Sequence, residues 1–358
     1  MLTRLDDMLC HQLARPFENV SQSDPNWVER IHFPLVSTDG STIVDVGFGS
    51  YPNRDVMDGF AGVAVGRDVR YVRGSRQLRP RSDEVFVGPL RWQVVEGLKE
   101  IRCTLEPNDA GIAWDLLYTA DYPASGEEYH EVWRDGRKLE EQVRFYQMGG
   151  VTGWLEVDGE RQDVTPESFR ASRDRSWGVR QPLVPDPTMK PRTRATGGLY
   201  TFVYLHFDGW AVQHHRTDDI DGNPTFHFAE RHQPDGIDTL PGLEHHATMG
   251  PDWTPTDGTF TYTDEQGESF TIEWERGEAM FPTGAVGGYS GFRDFHQGQW
   301  MGEEWVDAGR LDLSQPNDFK EVFGLLDYAA KVRCGDQTGV GIVECIPFGA
   351  YKPYGIGV

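Results

Sequence analysis

Apolar and polar residues alternate with a period of two over much of the chain, and turn residues cut the alternating runs. Thr201 to Arg216 is the clearest case. With Asp208-Gly209 at its turn, Phe207 faces Trp210, Leu205 faces Val212 and Val203 faces His214. These six share one face, because cross-strand partners point the same way. Phe202, Tyr204, His206, Ala211, Gln213 and His215 take the other. Phe260 to Glu275 repeats the pattern across Gln266-Gly267, and Trp154 to Arg161 is a third hairpin. Asp-Gly recurs at 39–40, 58–59, 135–136, 158–159, 208–209, 221–222, 235–236 and 257–258. Since a type I′ turn needs positive φ at both central residues, this spread predicts β structure throughout. Only the start reads differently. Leu2, Leu5, Met8, Leu9 and Leu13 recur at helical spacing, which predicts a short amphipathic helix in an N-terminal arm over 1–19.

Residues 181–198 carry four prolines and little apolar pattern, as a linker would. They divide the chain into halves of single-barrel size, 20–190 and 195–358. Ser168-Phe169-Arg170, Arg173-Asp174 and Trp177-Gly178 are echoed by Gly291-Phe292-Arg293-Asp294 and Trp300-Met301-Gly302, as in tandem related domains.

Composition agrees with an all-β protein: 41 Gly, 22 Pro and 11 Trp among 358 residues. The net charge of −23 repels phosphate backbones and anionic lipid surfaces, so nucleic acid is not an expected partner. No apolar run approaches the ~20 residues of a membrane span. Asp6 and Asp7 stand where a secretory signal would be apolar, so mature protein is expected from Met1. Cys10, Cys103, Cys334 and Cys345 form no C-x-x-C pair, which suggests reduced thiols in a cytoplasmic protein.

The densest chemistry lies between Arg170 and Arg180, where four arginines, Asp174 and Trp177 fall within eleven residues. Such charges can be buried only as partners, so the stretch is either the structural closure of a barrel or the polar floor of a pocket. In the second reading Arg173, Arg175 and Arg180 lower the Asp174 pKa more than burial raises it. Asp174 is then an ionised base or orienting group, beside an indole that can face positive charge.

Around this stretch the chain resembles a known family. Asn26-Trp27-Val28-Glu29-Arg30, Gly47-Phe48-Gly49-Ser50-Tyr51-Pro52-Asn53-Arg54, Pro107-Asn108-Asp109-Ala110-Gly111-Ile112 and above all Arg173-Asp174-Arg175-Ser176-Trp177-Gly178-Val179-Arg180 carry the resemblance. They resemble bacterial proteins grouped near hydroxyneurosporene synthase (carotenoid 1,2-hydratase) and the AttH-like proteins. Arg175 stands where that pattern often has His. The resemblance implies two tandem lipocalin-like (calycin-type) antiparallel β-barrels, and cofactor-free chemistry on apolar substrates by hydration, dehydration, isomerisation or cyclisation.

His214 closes the apolar face of the Thr201–Arg216 hairpin, beside Trp210. A lumen-facing imidazole starts near pKa ~6.5 and suits proton shuttling. If Thr225 to His232 is a strand, Phe226, Phe228, Glu230 and His232 share a face that runs from apolar to ionisable, as a pocket wall might. Asp294 is a further polar candidate. Glu230-x-His232, His214-His215 and His245-His246 bring at most two ligands together, so no metal is expected. Gly339-x-Gly341 has Glu344 where a dinucleotide fingerprint needs its third Gly, and Gly288-Tyr289-Ser290-Gly291-Phe292 departs from Gly-x-Ser-x-Gly at its last position. The expectation is therefore a lyase or isomerase without a cofactor, acting by proton transfer on a terpenoid, steroid or lipophilic aromatic. Asp174 and His214 would act on it, and Trp177, the three arginines, Trp210, Glu230, His232 and Asp294 would hold it. A non-catalytic carrier of such molecules and a scaffold with a filled lumen are the alternatives.

Overall fold

A computed structural model describes residues 2–9, 11–181 and 197–357. The expected linker thus lies almost entirely outside the described residues. Strands follow one another in chain order as β1 (Trp27–Ser37), β2 (Thr42–Tyr51), β3 (Val56–Val65), β4 (Asp68–Gln77), β5 (Val85–Val87), β6 (Leu90–Glu96), β7 (Glu100–Leu105), β8 (Ile112–Ala120), β9 (Ser125–Gly126), β10 (His130–Arg134), β11 (Arg137–Val157), β12 (Glu160–Val164) and β13 (Phe169–Val179). The second half adds β14 (Gly198–Phe207), β15 (Trp210–Asp219), β16 (Pro224–Gln233), β17 (Gly236–Thr239), β18 (Gly242–Met249), β19 (Pro255–Thr263), β20 (Ser269–Phe281), β21 (Glu304–Asp312), β22 (Asp327–Cys334) and β23 (Gln337–Pro347). The protein is all-β, with two antiparallel sheets.

The first sheet runs β21-β4-β3-β2-β1-β13-β11-β8-β7-β6-β5 and curls into a nearly closed barrel. Its last strand is tied back to β4 by Arg76, which donates to the carbonyls of Phe86 (2.8 Å) and Glu84 (2.6 Å). The second sheet, β17-β16-β15-β14-β23-β22-β20-β19-β18, forms a half-barrel. There Arg216 of β15 donates to the Leu243 carbonyl of β18 at 2.5 Å. One strand crosses between the halves: β21, from the C-terminal half, pairs along β4, with Val306 opposite Gly74.

Both interiors are packed with side chains. Phe33, Val46, Trp92, Trp114 and Tyr118 belong to the first core, and Val203, Leu205, Phe260, Ile272 and Trp274 to the second. Two further apolar layers join the halves. Val36, Ile43 and Phe60 pack with Phe281, Ala329 and Ile342, while Tyr146 and Met148 pack with Phe202 and Tyr204.

The hairpin register read from the sequence is the observed one, with Val203 opposite His214 and Phe207 opposite Trp210. Two Asp-Gly pairs are not turns. Gly59 and Gly258 sit within β3 and β19, where a Cβ would press on Phe48 and on the His246 carbonyl and Trp274. The N-terminal helix is a single 3₁₀ turn, Arg4–Asp7. Asp6 accepts from Phe17 N–H at 2.7 Å, and Leu2, Met8 and Leu9 of the apolar stripe are exposed among the described residues. The echo between the halves is not structural either: residues 169–179 form strand β13, whereas Phe292–Asp294 is a 3₁₀ turn.

Candidate functional site

Strand alternation divides the Arg-Asp-Trp stretch between two destinations. Arg173, Arg175 and Trp177 point one way, and Ser172, Asp174 and Ser176 the other. Arg173 lies inside the first barrel, over the Tyr118 and Phe145 rings, and donates to Gln147 Oε1. Arg175 pairs with Glu29 near the Trp177 ring, and Trp177 is 36% exposed. Asp174 instead faces the second half. Tyr146, Asp174 and His32 form one cross-strand row over β11, β13 and β1, followed on β2 by Gly47. Arg180 folds back onto the same side, donating to Ser176 Oγ at 2.7 Å.

From the other half, β14 presents Tyr200, Phe202 and Tyr204 to this row, and the Tyr204 hydroxyl lies 3.4 Å from Asp174 Oδ2. His32 is the hub. Its Nδ1 is 3.7 Å from Asp174 Oδ2, and its Nε2 is 2.9 Å from Asp45 Oδ1 and 3.9 Å from Asp327 Oδ2. Thr283, at the start of the short helix α1 (Thr283–Val286), donates to Asp45 Oδ2 at 2.7 Å. Glu344 of β23 flanks Asp327. On the far side of Asp174, Arg144 donates to the Tyr146 hydroxyl at 3.2 Å, and Glu127 accepts from Tyr146 and lies 2.9 Å from His215 Nδ1.

The electrostatics follow from this crowding. Burial pulls the His32 imidazole down, but Asp45, Asp174 and Asp327 outweigh it and raise it well above its ordinary value. Burial pushes Asp174 up, yet His32, Arg144 and Arg180 hold it below the usual carboxylate range. For Asp327 the balance goes the other way: burial and Asp45 push it up to about 7 against the pull of His32, Glu344 and Thr283, and burial with Asp327 lifts Glu344 well above its usual value. His32 keeps 19% of its side-chain surface accessible, so solvent reaches one edge of this buried assembly.

The remaining sequence candidates are dispersed. His214 is fully buried inside the second barrel, with Nδ1 2.7 Å from the Tyr262 hydroxyl, Nε2 3.1 Å from Thr201 Oγ1, and Phe260 edge-on. Trp210 stacks on Phe207 at 4.2 Å and donates to Gln337 Oε1. Glu230 and His232 lie 3.4 Å apart on the face of β16 turned toward Tyr122 of the first half. Asp294 is exposed in its 3₁₀ turn. His32, Asp45, Arg144, Tyr204, Asp327 and Glu344 were not singled out from the sequence. The signal was there for two of them: Asp45 interrupts Thr42-Ile43-Val44-Asp45-Val46, and Glu344 interrupts Gly341-Ile342-Val343-Glu344-Cys345-Ile346. A lone carboxylate within a buried strand demands a partner.

A cavity of about 330 Å³ opens elsewhere, on the outside of β5–β7, lined by Arg4, Arg91 and Arg102 around Phe86 and Trp92. Each of these arginines already faces a carboxylate, of Asp83, Glu106 and Asp115 respectively.

A nearly closed antiparallel barrel joined to a half-barrel sheet has the architecture of the AttH-like proteins. The chain belongs to a family of unknown function, DUF8625, whose model matches residues 2–357. No protein of curated function matches the sequence. Among solved structures, a putative AttH from Nitrosomonas europaea is 13% identical, with a TM-score of 0.54 over 89% of this chain and 92% of that one. CghA with Sch210972 is also 13% identical, with a TM-score of 0.53 over 91% of this chain and 89% of that one. At this identity the likeness is one of fold. No helix among the described residues is long and apolar enough to cross a membrane.

Proposed function

We propose that the protein is a lyase or isomerase, of hydratase, dehydratase, isomerase or cyclase type, that moves a proton on a hydrophobic small molecule held between its two barrels. The observation that carries this reading is the meeting of Asp174 and His32 from one half with Tyr204 from the other, at an edge that solvent reaches. Asp174 is the proton acceptor, close to the cations His32, Arg144 and Arg180. The Tyr204 hydroxyl, aimed at the same carboxylate, orients the reacting group. Tyr200, Phe202 and Phe228 supply aromatic walls, which suit a terpenoid, steroid or lipophilic aromatic and can face a carbocation. The apolar clusters inside each sheet support a site between them over one within either, and His214, bonded to Tyr262 and Thr201 within such a cluster, is given a structural part in this reading. CghA, whose fold this chain shares, was solved with the small molecule Sch210972, which adds support for an organic ligand.

The test is to incubate an apolar extract of the host with the protein in D₂O. Proton transfer to carbon leaves deuterium in the product, so a mass-shifted compound is expected with wild type and not with Asp174→Asn. A compound retained by the protein without any change would make it a carrier.

A further inference from the structure

Behind His32, toward the second half, acidic oxygens outnumber the donors that meet them, among which Thr283 Oγ1 reaches Asp45 Oδ2. His32, Asp45 and Asp327 each bring a ligand-type atom to within 4.8 Å of the others. Five atoms in this spot have no hydrogen-bond partner: His32 Nε2, Asp45 Oδ1, both carboxylate oxygens of Asp327, and Glu344 Oε2. Asp45 and Asp327 are wholly buried and Glu344 nearly so. Leaving several buried polar atoms unsatisfied is costly. His32 Nε2 and Asp45 Oδ1 approach to 2.9 Å without the geometry of a hydrogen bond. Two atoms bound to one ion at ~2.1 Å and at right angles stand ~3 Å apart, so this is the spacing of neighbouring ligands.

We propose that His32, Asp45 and Asp327 bind one first-row divalent cation of the Mn²⁺ to Zn²⁺ range, with Glu344 flanking Asp327. Two carboxylates supply hard oxygen donors and the imidazole one borderline nitrogen; the nitrogen selects this range over Mg²⁺ and Ca²⁺. A proton shared by Asp327 and Glu344 satisfies one carboxyl pair, whereas a dication satisfies His32 Nε2, Asp45 Oδ1 and an Asp327 oxygen together. The outer contacts are those of a metal site. Thr283 Oγ1 fixes Asp45 through its other oxygen, and Asp174 lies on the Nδ1 side of the imidazole, 3.7 Å away. The accessible edge of His32 gives an entry path. The site departs from the metal-free expectation of the sequence, because its ligands come from β1, β2 and β22, up to 295 positions apart (327 − 32). It stands on this cluster alone, independently of the proposed reaction.

The experiment uses the full chain, stripped with EDTA, dialysed, and titrated calorimetrically with MnCl₂ and with ZnCl₂ in the absence of any substrate. Wild type is expected to bind one ion per chain at micromolar or lower Kd and to melt at a higher temperature when loaded. Asp45→Asn/Asp327→Asn should lose at least 100-fold in affinity, while the surface variant Asp238→Asn behaves as wild type. Equal binding by wild type and the double variant, or no binding by wild type at 100 µM free metal, overturns the proposal. If the double variant fails to fold, the visible absorption of the Co²⁺-loaded His32→Gln protein decides. A spectrum unchanged from wild type rules His32 out as a ligand and overturns the site; a shifted or lost spectrum supports it.

Discussion

At the scale of single residues, environment assigns roles that residue type leaves open. Asp174 and His214 are both buried and ionisable, yet one faces a seam whose edge solvent reaches and the other a packed core. Asp174→Asn keeps the volume and removes the base. Turnover should fall by at least 100-fold, the usual worth of a positioned acid or base, while the melting temperature moves little. His214 shows itself in stability instead. Burial, together with His245, His227, Arg216 and His215 nearby, holds its imidazole well below the ordinary value. The folded chain keeps it neutral, while the unfolded chain takes up a proton below pH ~6.5. Its contribution is therefore full above that pH and is lost as the pH falls. Relative to His214→Gln, wild type should lose about 1.4 kcal/mol per pH unit below ~6.5, read from urea melts at pH 7, 6 and 5. Parallel pH profiles for the two proteins would contradict this.

At the scale of elements, hairpins were legible and seams were not. Alternation and Asp208-Gly209 sufficed to register β14 on β15, because a slip of one residue would turn Leu205 and Val212 to the wrong face. The same local rule misread Asp58-Gly59, since whether a glycine serves a turn or a close approach depends on strands distant in sequence. It also located Asp174 but not its partners. His32 lies 142 positions before Asp174, and Asp327 lies 153 after it, so only the folded sheets bring them together (174 − 32; 327 − 174). The amphipathic N-terminal spacing failed for a related reason: Leu2, Met8 and Leu9 are exposed among the described residues, and a short helix whose apolar stripe is not packed has little to hold it. Arg76 gives the seams a measurable weight. It is buried and donates to the carbonyls of Gln77, Leu78, Arg81, Phe86 and Glu84. Arg76→Met leaves several of those carbonyls unpaired and should cost about 3 kcal/mol or more in chemical denaturation. A loss under about 1 kcal/mol would mean that the barrel closes without it.

At the scale of the whole molecule, the two halves share more than a linker. The strand β21 belongs by sequence to the second half and by pairing to the first. An apolar layer of residues from both halves, among them Phe60 and Phe281, lies between the sheets. The protein should therefore unfold in one calorimetric transition, and residues 1–181 expressed alone should not form a stable barrel. Two separate transitions would show the halves to be independent. This coupling also bears on function, because a site made of Asp174 and His32 from one sheet and Tyr204 from the other exists only while the halves are docked. The most direct measurement is a crystal structure of the protein purified from its own host with its apolar ligand retained. Density for that molecule between the sheets, within hydrogen-bonding reach of Asp174 or Tyr204, is the predicted result; density inside either lumen, or on the outer face by Trp177, would contradict the account.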